Sequence, residues 1–153
     1  MSDNLRRYYA VSAALRQLCA QEPKGNQARH LRTLAHIVSG IVGSRRCNLG
    51  AIASKSPDGN QRESRVKRFG RWLQNERIDW QTYFLPYIEA FLAALMQGPA
   101  GPLVLAMDAS QVGRDCTALV VSVLYGRRAL PIAWTVFQTD RGHFLDFPRN
   151  SGQ

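Results

Sequence analysis

Two groups of residues in this chain have the types and spacing to do chemistry. In the first, the wholly apolar run Leu103-Val-Leu-Ala-Met107 ends on Asp108 and passes into Ala109-Ser-Gln-Val-Gly113. A continuously apolar run reads as a buried strand, and a buried strand is a rigid mount for the carboxylate at its end. An acid held in that way can ligate Mg²⁺ and help generate a nucleophilic water or 3′-hydroxyl for phosphodiester chemistry. The same pattern also describes a strand that simply ends in an N-cap or Asx-turn. The residues alone leave both readings open.

The second group is Arg62-Glu-Ser-Arg-Val-Lys-Arg-Phe-Gly-Arg-Trp-Leu-Gln-Asn75. Taken as a helix turning about 100° per residue, it puts Val66, Phe69 and Leu73 on one side. Ser64, Lys67, Arg68, Arg71 and Asn75 gather on the opposite side. Such a face suits phosphate contacts, and Arg and Asn can also read base edges. Just before it, Leu49-Gly-Ala-Ile-Ala-Ser-Lys55 reads as a short helix, joined through Ser56-Pro-Asp-Gly-Asn60. That order resembles a helix-turn-helix variant, with the basic helix placed to lie against double-stranded DNA. A solvated basic face that meets nothing is the plain counter-reading. Gly70 weakens the helix by about 1 kcal/mol relative to Ala.

Charge separates the two groups. The 153 residues carry a net charge of +9, but residues 1–100 hold 15 Lys/Arg against 7 Asp/Glu, and residues 101–153 hold 5 against 4. A basic first part joined to a near-neutral second part points to a polyanion-binding module attached to something else. Cys19, Cys47 and Cys116 are far apart and form no CxxC pair, as expected for reduced thiols in a cytosolic protein. No run approaches the length of a membrane span, and Met1-Ser-Asp-Asn4 lacks the basic-then-apolar order of a signal peptide.

The elements that must position these groups follow from periodicity. Gln97-Gly-Pro-Ala-Gly-Pro102 breaks any helix and divides the chain into a helical region over 1–97, a link over 98–102 and a strand region over 103–153. The helical region starts with a helix from Leu5 to Cys19, broken by Glu22-Pro-Lys-Gly25. Leu31, Leu34, Ala35, Val38, Ile41 and Val42 mark a second helix, for which Gly40 and Gly43 are the expected stops. Trp80 to Leu95 carries the same period with Asp79 as N-cap, and Pro86 means either a kink or a regular helix starting near Leu85. Past the link, Leu103–Met107, Thr117–Tyr125 and Ala129–Phe137 read as strands, the last two joined by Gly126-Arg-Arg128. Pro131 confines the third strand to an edge or a bulge. The fold class is therefore α+β: helices, then a three-stranded antiparallel meander.

Three stretches together resemble an insertion-sequence transposase of the DDE type, whose catalytic domain has the ribonuclease-H-like fold. They are Glu63 to Asn75, Gly101 to Arg114 around Asp108, and Ala129-Leu-Pro-Ile-Ala-Trp-Thr-Val136 closing near Gly142-His-Phe144. The resemblance implies that Asp108 is the first acid of a Mg²⁺-binding triad. It implies that the preceding helices bind the ends of the element, and that the meander is the first three strands of the catalytic sheet. The chain departs from the family in lacking a fourth strand with the second Asp and a later helix with the Glu. After Asp108 its carboxylates are Asp115, Asp140 and Asp146, none read as a ligand. The tail reads as a truncated or frame-shifted frame. Catalysis by this chain alone is therefore not expected, and an exposed apolar sheet face is, with self-association or pairing with a full-length transposase as its outlet. The alternative function is a non-catalytic DNA-binding module or regulator that occupies element ends. His30 and His36 share no helix face and His143 lacks an acid partner beyond Asp140, so no histidine metal site is expected. Trp72, Trp80 and Trp134 read as packing aromatics.

Overall fold

A computed structural model describes residues 1–19, 21–98, 101–113 and 115–138. The order is six helices followed by three strands: α1 (Asp3–Gln17), α2 (Gly25–Ser44), α3 (Leu49–Lys55), α4 (Arg62–Leu73), α5 (Trp80–Tyr83), α6 (Leu85–Gln97), β1 (Leu105–Gly113), β2 (Cys116–Tyr125) and β3 (Arg128–Gln138). The fold is thus α+β. Met1–Leu92 and Ala93–Gln153 form two compact units. Among the described residues no helix is long and apolar enough to cross a membrane. The tail beyond Gln138, with Asp140, His143 and Asp146, lies outside the described residues, as do Arg114 and two residues of the Gly/Pro link.

Local chemistry accounts for the helix boundaries. Ser2 caps α1, Asn48 accepts from the Ala51 amide at 2.9 Å to cap α3, and Asp79 accepts from the Thr82 amide at 2.6 Å to cap α5. These side chains satisfy first-turn amides that have no partner within the helix. Pro86 sits in the first turn of α6, where its missing N–H costs nothing, so a fresh helix at Leu85 replaces a kink.

The end of α2 differs from expectation. Gly40 and Gly43 do not stop α2, which runs on to Ser44 and ends where Arg45 takes a left-handed φ of 54°. The glycines serve packing instead. A Cβ at Gly40 would lie 2.6 Å from the Ile52 carbonyl oxygen and 2.7 Å from the Ile52 Cγ2. The two helices approach closely only because that side chain is absent.

The core of the helical unit is Ile37, Ile52, Ala53 and Phe69, with Ile41, Leu49, Val66 and Trp72 packed against it. α2 lies against α1, α3 and α4, so its buried arc is wider than the expected stripe and takes in His36, Ser39 and Gly40. Val42, expected inside, is exposed. On α4, Val66 and Phe69 face the core as expected, but Leu73, the last helical residue, is exposed and the Trp72 ring packs in its stead. Tyr83 fastens α5 by edge-on ring contacts with His30 and Trp72, and the Tyr87 hydroxyl donates to the Leu15 carbonyl.

The sheet has the order β1-β2-β3, antiparallel throughout. Tyr125 pairs with Arg128 across Gly126-Arg127, with Gly126 at φ +60°, the positive φ that a type II′ hairpin requires at its first central residue. Pro131 sits on edge strand β3 where the register shifts, Val121 facing Ala133 and Ser122 facing Pro131. The bulge tolerates its missing donor.

Candidate functional site

The two groups of residues with chemistry lie in different units. α3 and α4 are joined by six residues, Ser56 to Gln61, a longer link than the three or four of a standard helix-turn-helix. That link is held by charge. Asp58 lies 3.5 Å from Arg65 Nε and 2.5 Å from Arg68 Nη2, with its side chain 14% exposed. The Arg65 guanidinium also donates to the Ser56 carbonyl, and the Asn60 amide donates to Asp58 at 3.3 Å. A half-buried ion pair with several hydrogen bonds to share fixes the turn against the helix.

Behind the turn lies His36. Its Nδ1 shares a 2.9 Å hydrogen bond with Ser56 Oγ, and its ring stacks on Tyr8 at 4.2 Å and 20°. Burial is the chief reason its pKa falls to about 4; the Arg68, Arg32 and Arg65 charges push the same way and Asp58 opposes them. A neutral imidazole is therefore built into the wall between α1, α2 and the turn.

Of the five residues expected on the DNA-facing side, Ser64, Lys67 and Arg71 are exposed on α4. Arg68 shares their side but is tied to Asp58. Asn75 lies past the helix end, where its side chain accepts from the Arg77 amide at 3.1 Å, a turn-stabilising role. Ser64, Arg68 and Arg71 come together with Asn60 and Arg65 around one cleft. Asp58, Asn60 and Arg65 were not singled out in the sequence. A Pro-Asp-Gly turn reads as a connector, and Arg65 lies between the two faces of α4 by the helical count.

Asp108 stands differently from expectation. It lies in the middle of β1, not at the end of a strand, because β1 runs from Leu105 to Gly113 and Asp108 pairs with Val120. Ten residues of β2 present ladder groups, and Ala109 to Gly113 answer them despite the weak strand preference of Gln and Gly. The mount is also not buried. Leu105 and Met107 are 58% and 70% exposed, and Asp108 itself is exposed. A sheet edge with an uncovered face cannot bury a run of alternating side chains, however apolar. Ser110 Oγ donates to Asp108 Oδ2 at 3.3 Å. Among the described residues no three His, Cys, Asp or Glu side chains gather as a metal-binding group. Asp115, with φ 57°, is an exposed acid at the β1–β2 turn.

With six helices and a three-stranded antiparallel sheet among the described residues, and a basic α4, the fold is of the α+β class. No protein-family model, curated protein or solved structure matches it.

Proposed function

We propose that this chain is a transposase-like protein of an insertion sequence, which binds the DNA of the element through α4 and the turn before it. The observation that carries the reading is the exposed Ser64, Lys67 and Arg71 side of a helix whose other side is locked into a packed core by Phe69. A rigid helix presenting the Lys67 and Arg71 cations one turn apart, with the Ser64 hydroxyl a turn before them, supplies fixed donors to phosphate that set register on a duplex. The net charge of +9, most of it in the first hundred residues, adds long-range attraction to a polyanion. The first three strands of a ribonuclease-H-like sheet, with Asp108 as the first acid, are part of the same reading and rest on the sequence resemblance.

Mg²⁺ fits Asp108 in kind. A carboxylate with a hydroxyl beside it is an all-oxygen set, the type this cation takes. Among the described residues no metal-binding group of side chains gathers at Asp108, and one carboxylate does not hold two ions about 4 Å apart. That favours a second reading: a DNA-binding module or regulator that occupies element ends and cuts nothing. The exposed Leu105, Met107, Trp134 and Val136 of the sheet are consistent with self-association or with pairing to a full-length transposase.

Two variants test the assignment by affinity for duplex DNA. Lys67→Glu with Arg71→Glu should abolish binding, and Asp108→Ala should leave it unchanged. Arg68→Glu is a poor probe, since it would set a second carboxylate against Asp58 and disturb the turn. Retained affinity in the double reversal would sink the α4 interface. Mg²⁺-dependent nicking that disappears with Asp108→Ala would replace the binding-only reading with a catalytic one.

A further inference from the structure

Three guanidinium groups and two neutral hydrogen-bonding side chains converge at one concave place beside α4. Asn60, Ser64, Arg65, Arg68 and Arg71 line an open cleft of about 410 Å³, and no acidic residue is among them. Ser64, Arg68 and Arg71 follow one another along the helix, and Asn60 continues their line one turn earlier, in the link. Three cations stand against a single carboxylate, Asp58, which Arg65 and Arg68 already share. Arg65 Nε faces Asp58 at 3.5 Å and both Arg65 and Arg68 Nε are buried, so the cleft is approached by the outer ends of the guanidinium groups. The frame is short of negative charge. A tetrahedral phosphate supplies it, and guanidinium forks with a hydroxyl and an amide are the donors it takes best.

We propose that this cleft seats one backbone phosphate of DNA, held by Arg71 and Arg68 with the Ser64 hydroxyl and the Asn60 amide. Asp58 is the positioning residue that fixes Arg68. The proposal rests on the DNA-binding reading and divides the basic side of α4. Ser64, Arg68 and Arg71 grip, while Lys67 contributes charge only and Asn75 belongs to the next turn. The cleft is open on one side, so a phosphodiester can enter with its sugars outside. A free phosphate anion would satisfy the same donors, and the test separates the two sources.

The experiment measures affinity for a duplex by fluorescence anisotropy. Ser64→Ala and Asn60→Ala keep the net charge and should each weaken binding by roughly threefold to tenfold, the effect of one hydrogen bond. Arg71→Ala should weaken it several-fold more than Lys67→Ala, although each removes one cation. Asp58→Asn adds a net positive charge, so a diffuse basic surface would bind more tightly; a positioned Arg68 predicts weaker binding with an unchanged circular dichroism spectrum. If the wild-type chain binds the duplex but Arg71→Ala equals Lys67→Ala and the neutral variants do nothing, the phosphate seat is overturned and the DNA reading stands. Inorganic phosphate provides the other arm. If millimolar phosphate moves the Arg71 side-chain Nε–H resonance while the duplex leaves it in place and is not bound, the DNA source is overturned, and the proposed function with it.

Discussion

At the scale of single residues, the side chains that shape the site are those that satisfy one another locally. Lys67 and Arg71 could be read from helical spacing because exposed cations obey that spacing directly. Arg68 and Asn75 share the spacing, yet Asp58 claims the first and the Arg77 amide is capped by the second. Neither partner is visible to a periodicity that counts only along the helix. His36 illustrates the same limit. In the sequence it is one histidine on a helix; in the fold it lies against Ser56, Tyr8 and the Arg65–Arg68–Asp58 group. Its pKa falls from 6.5 to about 4, chiefly by burial. The unfolded chain therefore binds a proton in that window that the folded chain refuses. The stabilising contribution is complete above about 6.5 and is lost as pH falls toward 4. Thermal unfolding followed by the helical circular dichroism signal should show a midpoint that drops across this window, and His36→Gln should flatten the drop. An unchanged pH profile in that variant would assign the acid sensitivity to other groups.

At the scale of elements, the segment types were legible and their ends were less so. The α3–turn–α4 order, the cap at Asp79, the hairpin at Gly126 and the bulge at Pro131 follow from short-range rules that the sequence displays. Two errors share a cause, which is that a partner element decides. Gly40 reads as a helix stop until Ile52 is seen packed against it, and Leu103–Met107 reads as a buried strand ending at Asp108 until β2 extends the pairing to Gly113. Two of the glycines inside helices, Gly70 and Gly40, make a paired prediction. Gly70→Ala places a Cβ at 3.7 Å from Leu49 Cδ1, an ordinary contact, and should stabilise the helical unit by up to about 1 kcal/mol. Gly40→Ala drives a Cβ into the Ile52 backbone and should destabilise it by about 2 kcal/mol or more, outweighing the same gain in helix propensity. Urea unfolding of the two variants decides the matter. Equal signs would mean that the α2–α3 approach is looser than described.

At the scale of the whole molecule, the division of charge matches the division of structure. The cations cluster in the helical unit, where a core of Phe69, Ile52, Ala53 and Ile37 holds α4 by its apolar side. The sheet unit is close to neutral, with large apolar residues exposed on both of its faces. Charge and fold class were legible because composition and period carry them. The exposure of β1 was not, because an apolar run specifies what a strand prefers to touch and not whether anything covers it. The helical unit therefore carries the functional claim, and its signature is electrostatic. Binding that neutralises phosphates releases condensed counterions, so log K falls linearly with log salt concentration, by about 0.9 for each phosphate contacted. The most direct test is the affinity of the wild-type chain for duplex DNA across a salt series, beside the Lys67→Glu/Arg71→Glu variant. A steep negative slope that collapses in the variant is the predicted result. No affinity for duplex, or an affinity indifferent to salt, would contradict the account.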